Sequence, residues 1–334
     1  MNPAPRNPSP VKGPDVADVP PCTCDCAVLH TVSGRLAAQR RWTQQPQSCN
    51  CHPRTAQIEN ALRGGHFAAP GARRIADELT RIAPYTAQAL RTRDAFTTRV
   101  VDEALAHGID QFLDLGSGYL ATNAAHAVVT STDHVPAPRI VLVDNDDHVH
   151  TQNSTDLRHA TSDVRNRTHL LHRNAFAAGH LLRYLGANEI LDLTRPVCVL
   201  LVDLLHYLEP DIDPSTVVRR FSNRLAPGSW LAISVLCGYP LYSYFGNAEA
   251  HAELRETTYN WCRVQNQVLP PCPRPLPFAA LKRIFTRLDL IAPRCLTTPR
   301  RWPLREDHWI PQAPFSITAV GRVPGTLSPV QEAT

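Results

Sequence analysis

The chain has 334 residues, 43% of them hydrophobic and 19% charged, with a formal net charge of +4. That is enough apolar material for a substantial core, and with so weak a charge and no dense basic stripe in the sequence a nucleic-acid partner is not expected. No run reaches the ~20 apolar residues that span a bilayer, because the longest, Val197 to Leu205, is broken by Asp203.

The N-terminus lacks a basic start followed by an apolar stretch, so no secretory signal is expected. A cytoplasmic protein with reduced cysteines is the expectation. Residues 1–54 read as a disordered leader rich in proline and cysteine. They carry Cys22, Cys24 and Cys26, then Cys49, Cys51 and His52. Cys-x-Cys spacing is tighter than that of most tetrahedral zinc sites, though thiolates this close also suit Cu(I). These six are candidate metal ligands only, and the simpler reading is a tail that happens to be rich in cysteine.

From Thr55 to His107 the pattern is helical. Ile75, Leu79 and Ile82 recur at spacings of three and four, as do Phe96, Val100 and Ala104. Gly64-Gly65, Pro70-Gly71 and Pro84 divide this segment, and His107-Gly108 closes it. Its arginines, among them Arg63, Arg73, Arg74, Arg81, Arg91, Arg93 and Arg99, are expected mostly to face water.

Strands then alternate with helical stretches. Gln111 to Leu115, Arg139 to Val143, a weaker Thr168 to His172, Val197 to Val202 and Trp230 to Val235 read as buried strands. A helix is expected over Phe278 to Leu288, and last strands at Leu290 to Ala292 and Phe315 to Val320. Near-continuous apolar strands between helices imply an α/β fold, a parallel Rossmann-like sheet covered on both faces.

The first strand runs into Asp114-Leu115-Gly116-Ser117-Gly118, whose glycines allow a sharp strand-to-helix turn and close approach of a ligand to the main chain. The second ends in Val143-Asp144-Asn145-Asp146, 28 residues after Gly116. A carboxylate there can accept hydrogen bonds from both hydroxyls of a ribose. The third leads to Arg173-Asn174-Ala175-Phe176, where a polar side chain can meet an adenine amine and an apolar one its ring. An NAD site is the competitor, but it favours a third glycine where Ala121 stands and an acidic residue nearer ~20 positions on. Asp114 suits a cationic amino group better than a phosphate, and both points favour S-adenosylmethionine (SAM).

At these residues the chain resembles the actinobacterial SAM-dependent methyltransferases of the domain-of-unknown-function 574 group. The resemblance runs over about 57–322. It is densest at Gly108-Ile109-Asp110-Gln111-Phe112-Leu113-Asp114-Leu115-Gly116-Ser117-Gly118, and continues at Val141 to Asp146, Arg195 to Val202, Leu205-His206-Tyr207, Leu225 to Ser229 and Arg301-Trp302-Pro303. Departures include Tyr119-Leu120-Ala121 after the glycines, Glu59 to Gly65 in place of a tyrosine-bearing segment, and Asn174 where an aspartate is usual.

The resemblance implies a class I methyltransferase sheet with helices on both faces. The SAM-binding domain would cover 109–323, preceded by a helical lid at 55–108 and followed by a disordered tail at 324–334. Asp114, Gly116, Ser117 and Gly118 would hold the amino-acid end of SAM, Asp144 and Asn145 the ribose, and Asn174 and Ala175 the adenine. Asp203 and His206, after the fourth strand, are weak catalytic candidates, with His206 more often a structural residue. A small-molecule acceptor is expected. Two other readings stay open from the sequence: a SAM-binding regulator without turnover, and an NAD-dependent oxidoreductase.

Overall fold

The computed structural model describes residues 53–238, 248–266, 273–303 and 316–325. The cysteine-rich leader, with its six candidate metal ligands, lies outside the described residues, as does the tail after Gly325.

Three helices come first: α1 (Thr55–Leu62), α2 (Pro70–Ile82) and α3 (Thr86–Ala106). Pro70 opens α2 at a position where its missing N–H costs nothing. Gly108, at φ 78°, closes α3: its N–H reaches Leu105 O at 2.9 Å, and Ile109 N–H reaches Ala104 O at 2.9 Å.

Seven strands follow: β1 (Gln111–Leu115), β2 (Arg139–Asp144), β3 (Thr168–His172), β4 (Cys198–Val202), β5 (Trp230–Leu236), β6 (Asp289–Leu290) and β7 (Ser316–Arg322). They form one sheet in the order β3-β2-β1-β4-β5-β7-β6. β1 to β5 are parallel, and β7 runs antiparallel between β5 and β6. Between and around the strands lie α4 (Ala124–Ser131), α5 (Asp147–His159), α6 (Ser162–Arg167), α7 (Ala178–Ala187), α8 (Pro214–Ser222), α9 (Ala248–Gln265) and α10 (Phe278–Ile284).

The period-two alternation of strand side chains decides the two cores. Phe112, Ile140, Leu142, Cys198 and Leu200 face α3 and α4, in one cluster with Phe96, Val100, Ala104 and Trp302. Leu113, Leu115, Val141, Val143, Val199 and Leu201 face α7, α8 and α10. β3 reads weakly in the sequence because it is an edge strand, buried only at Thr168. The chain returns from that edge to lay β4 beside β1, which opens a crevice at the C-terminal ends of β1 and β4.

Several strand ends differ from the sequence reading by one or two residues, and the last helix and the sixth strand differ as well. α10 stops at Ile284 rather than Leu288, because Thr286 Oγ1 turns back onto Arg283 O at 2.6 Å. Leu288 is still buried, packed where a side chain at Gly321 would stand. The sixth strand is Asp289–Leu290, one residue earlier than expected. Among the described residues, no helix is long and apolar enough to cross a membrane.

Candidate active site

The crevice is built first by the loop after β1. Gly116 and Gly118 have φ of 71° and 63°, a region that L side chains rarely adopt. A Cβ on Gly116 would come 2.7 Å from Leu204 Cδ1, so the loop after β4 packs directly on the glycine loop. Two asparagines hold this loop. Asn123 Nδ2 donates to Asp114 Oδ2 at 2.6 Å and to Ser117 O at 2.9 Å, while its Oδ1 accepts from His126 N–H and caps α4. Asn153, on α5, accepts from Leu120 N–H at 2.7 Å and donates to Gly118 O at 2.9 Å. Ser117 Oγ is enclosed and has no hydrogen-bond partner.

Asp144, at the end of β2, accepts from Gly118 N–H and from Asp146 N–H, each at 2.9 Å. Burial pushes its carboxyl up to about 6, against these backbone hydrogen bonds. Asp114 is likewise pushed up to about 6 by burial, and the neighbouring Asp144 charge adds to the effect. Two carboxylates this costly to ionise favour a cation beside them and disfavour a pyrophosphate.

Asn145 and the turn after β3 complete this side. His172 Nε2 lies 3.0 Å from Asn145 O. Asn174 is exposed, and its Oδ1 accepts from Phe176 N–H at 2.8 Å; a carbonyl oxygen keeps a second lone pair. Ala175 is buried, so the glycine loop, Asp144, Asn145 and the Asn174 turn share one edge of the sheet.

The first helix reaches over both loops. Arg54 pairs with Asp146 at 2.9 Å, the Gln57 side chain lies against Tyr119, and the Phe67 ring lies 5.3 Å from that of Tyr119. The Tyr119 hydroxyl also meets His148 Nδ1 at 3.0 Å.

The β4 side is organised by a charge pair that the sequence reading missed. Arg93 of α3 grips Glu59 of α1 with two hydrogen bonds, of 3.0 and 2.8 Å, and Arg63 bridges Glu59 to Asp94. Arg63 and Arg93 therefore face inward, as does Arg99, which binds Trp302 O at 2.7 Å. Burial alone would raise the Glu59 carboxyl, but the two guanidiniums hold it down at about 2. Arg93 acts electrostatically on Asp114 and interacts with Asp203, so it stands between the β1 and β4 loops. The i,i+4 spacing of Glu59 and Arg63 was the only trace of this pair in the sequence.

Asp203 takes the left-handed conformation, at φ 51°. Its Oδ1 accepts from Ser234 Oγ at 2.6 Å and Ser316 Oγ at 3.4 Å. His206 is buried, and its Nδ1 accepts Leu236 N–H at 3.1 Å, which puts the ring proton on Nε2. Burial lowers its pKa to about 4. Tyr207 stacks obliquely on His206, with ring centroids 4.6 Å apart.

Comparison with known proteins decides the class of this site. Residues 42–322 match the family of S-adenosyl methyltransferases. The chain belongs to that family. Its fold is shared with a candidate methyltransferase of Thermobifida fusca YX, at 24% identity and a TM-score of 0.66, with 82% of this chain and 96% of that one covered. A second shared fold is a domain-of-unknown-function 574 protein of Streptomyces avermitilis MA-4680, at 24% identity and a TM-score of 0.62, covering 82% and 98%. No curated protein matches.

The chain is thus a SAM-dependent methyltransferase, and the NAD and regulator readings are not favoured. The residues present fit the cofactor: Ser117 Oγ is enclosed and partnerless in the glycine loop, and the same loop borders Asp114 and Asp144, whose buried carboxyls a cationic ligand would relieve. Asn123 and Asn153 are not named from the sequence, Glu59 is named only within a departure from the family, and Arg93 is expected to face water; each reads as ordinary until the fold brings it to the loops it serves.

Proposed function

We propose that this methyltransferase acts on a small-molecule acceptor, held between the C-terminal ends of β4 and β5 and the helices α1 and α3. Asp114, Gly116, Ser117 and Gly118 hold the amino-acid end of SAM in this reading. Asp144 and Asn145 hold its ribose, and Asn174 and Ala175 its adenine. Bound there, SAM supplies a methyl group on a cationic sulfonium, which reacts with a nucleophile aligned behind it.

What the chain itself must do is align that nucleophile and take up its proton. Asp203 is the residue for both tasks, and its fixed carboxylate is the observation that carries the reading. Ser234 and Ser316 hold Oδ1, and Asp203 takes the left-handed conformation directly after β4. Oδ2 then accepts the hydrogen of an amine or hydroxyl acceptor. His206 serves as a positioning residue. Its Nδ1 is taken by Leu236 N–H, and with a pKa near 4 it stays neutral at neutral pH. The helices α1 and α3 over the crevice support a small-molecule acceptor in this reading. Cys198 and Cys295 carry thiols, the state a reducing cytoplasm maintains, and we place the protein there.

The test is label transfer from tritiated SAM into a bacterial extract split into low-molecular-weight and protein fractions. Label is expected in the small-molecule fraction, and Asp203→Asn should abolish the transfer while leaving S-adenosylhomocysteine (SAH) affinity unchanged. Label confined to the protein fraction would contradict the small-molecule reading. Full transfer by Asp203→Asn would remove Asp203 from its role.

A further inference from the structure

Helix α9 turns one stripe of side chains inward: Thr258, Trp261, Cys262 and Gln265, at spacings i, i+3, i+4 and i+7. All four are buried, Thr258 and Gln265 to 1% exposure and Trp261 to 8%. Trp261 and Cys262 share an apolar cluster with Ile58 of α1 and Leu236 at the end of β5. Leu236 is also the residue whose N–H binds His206. The stripe therefore lies beside the loop that carries Asp203, His206 and Tyr207.

Three polar atoms on this apolar surface are enclosed and have no hydrogen-bond partner: Thr258 Oγ1, Trp261 Nε1 and Gln265 Oε1. They are three of the eight such atoms among the described residues, gathered on one face of a helix that borders the proposed acceptor site. Buried polar groups in folded proteins are almost always paired, and an unpaired one is costly. Scattered orphans would mark loose packing. Orphans on one stripe beside a reacting centre mark a surface that a ligand completes. The set comprises an indole donor, an amide carbonyl acceptor and a hydroxyl that does both, and none of them is charged. A charged ligand group would find no counter-charge on this stripe.

We infer that the α9 stripe binds the neutral hydrogen-bonding part of the methyl acceptor, a hydroxyl- or amide-bearing small molecule. This assignment rests on the small-molecule methyl-transfer reading above, and it adds the specificity-determining side chains and the ligand class.

The test uses the full chain labelled with ¹⁵N, in the presence of SAH. Disappearance of one indole signal in Trp261→Phe identifies the Trp261 Nε1–H resonance. Acetamide and ethylene glycol serve as neutral probes, acetate and methylammonium as charged ones. The neutral probes should shift the Trp261 indole resonance in a saturable way, and the charged ones should not. Thr258→Val combined with Gln265→Leu should reduce that shift several-fold while Tm stays level or rises, since each change removes an unpaired buried atom. The assignment is overturned if neutral probes cause no shift, if only charged probes do, or if Thr258→Val lowers Tm, which would show a structural partner for the hydroxyl. Calorimetry of SAH in the same samples separates the two claims. Absence of SAH binding with the shift intact would remove the methyl-transfer reading alone. SAH binding without the shift would remove the α9 surface alone.

Discussion

On the β1–β2 side of the crevice, most polar side chains answer to the loops they border. Asp114 and Ser117 O meet Asn123, Gly118 meets both Asp144 and Asn153, and Asp146 meets Arg54. On the β4–β5 side the pieces come from distant parts of the chain. Glu59 and Arg93 arrive from α1 and α3, Asp203 from β4, and the α9 stripe carries three enclosed atoms with no partner. In the proposed reading the first side is preorganised for one fixed ligand, SAM, and the second for a ligand that brings its own hydrogen bonds.

The comparison is broken most severely by removing Arg93. Arg93→Met leaves the Glu59 carboxylate enclosed without its main partner, and should cost about 3 kcal/mol in denaturant unfolding, the low end for splitting a buried pair. The same pair sets an acid limit. The Glu59 carboxyl lies near 2 in the folded state against an ordinary 4.5, so its stabilisation is in place above 4.5 and is lost as pH falls towards 2. Unfolding followed across that range should show this loss in the wild type and much less of it in Arg93→Met.

Asn153→Ala tests the other side with a smaller effect. Leu120 N–H and Gly118 O lose their partner, for an expected cost of about 1–2 kcal/mol and a weaker SAH affinity. A variant as stable as the wild type, with the same affinity, would show that the glycine loop needs no support from α5.

The pH dependence of cofactor binding sharpens the same comparison most gently. The carboxyls of Asp114 and Asp144 are raised to about 6 from an ordinary 3.8. Their contribution to the ligand-free fold is therefore present below 3.8 and lost as pH rises through about 6. SAH binding has the opposite sign in the proposed reading, since it needs the Asp114 carboxylate ionised to meet the α-ammonium and the Asp144 carboxylate ionised to accept from the ribose hydroxyls. SAH affinity should rise roughly tenfold between about pH 5 and about pH 7, and calorimetry at several pH values reads it directly. A flat profile would show that neither carboxyl meets the ligand.

What the sequence revealed follows the same division. The glycine loop and the Asp144 turn are contiguous stretches at strand ends, so their residues declare themselves together. The central strands are legible for a similar reason: with both faces covered, they are apolar at nearly every position. Arg93 reads like its exposed neighbour Arg91, and only the packing of α3 on α1 turns it inward. Thr258, Trp261 and Gln265 look like an ordinary helix face until the end of β5 is laid beside them. Asn153, 35 residues from Gly118, depends on where α5 docks.

The central claim is that SAM binds where β1 and β2 end, and its most direct test is SAH binding to the full chain by calorimetry, comparing the wild type with Asp144→Ala. Measurable binding in the wild type is expected, weakened by about 2–3 kcal/mol in the variant, the scale for losing charge-assisted hydrogen bonds. Equal affinity in the two proteins would contradict the placement of the ribose at Asp144, and with it the cofactor site described here.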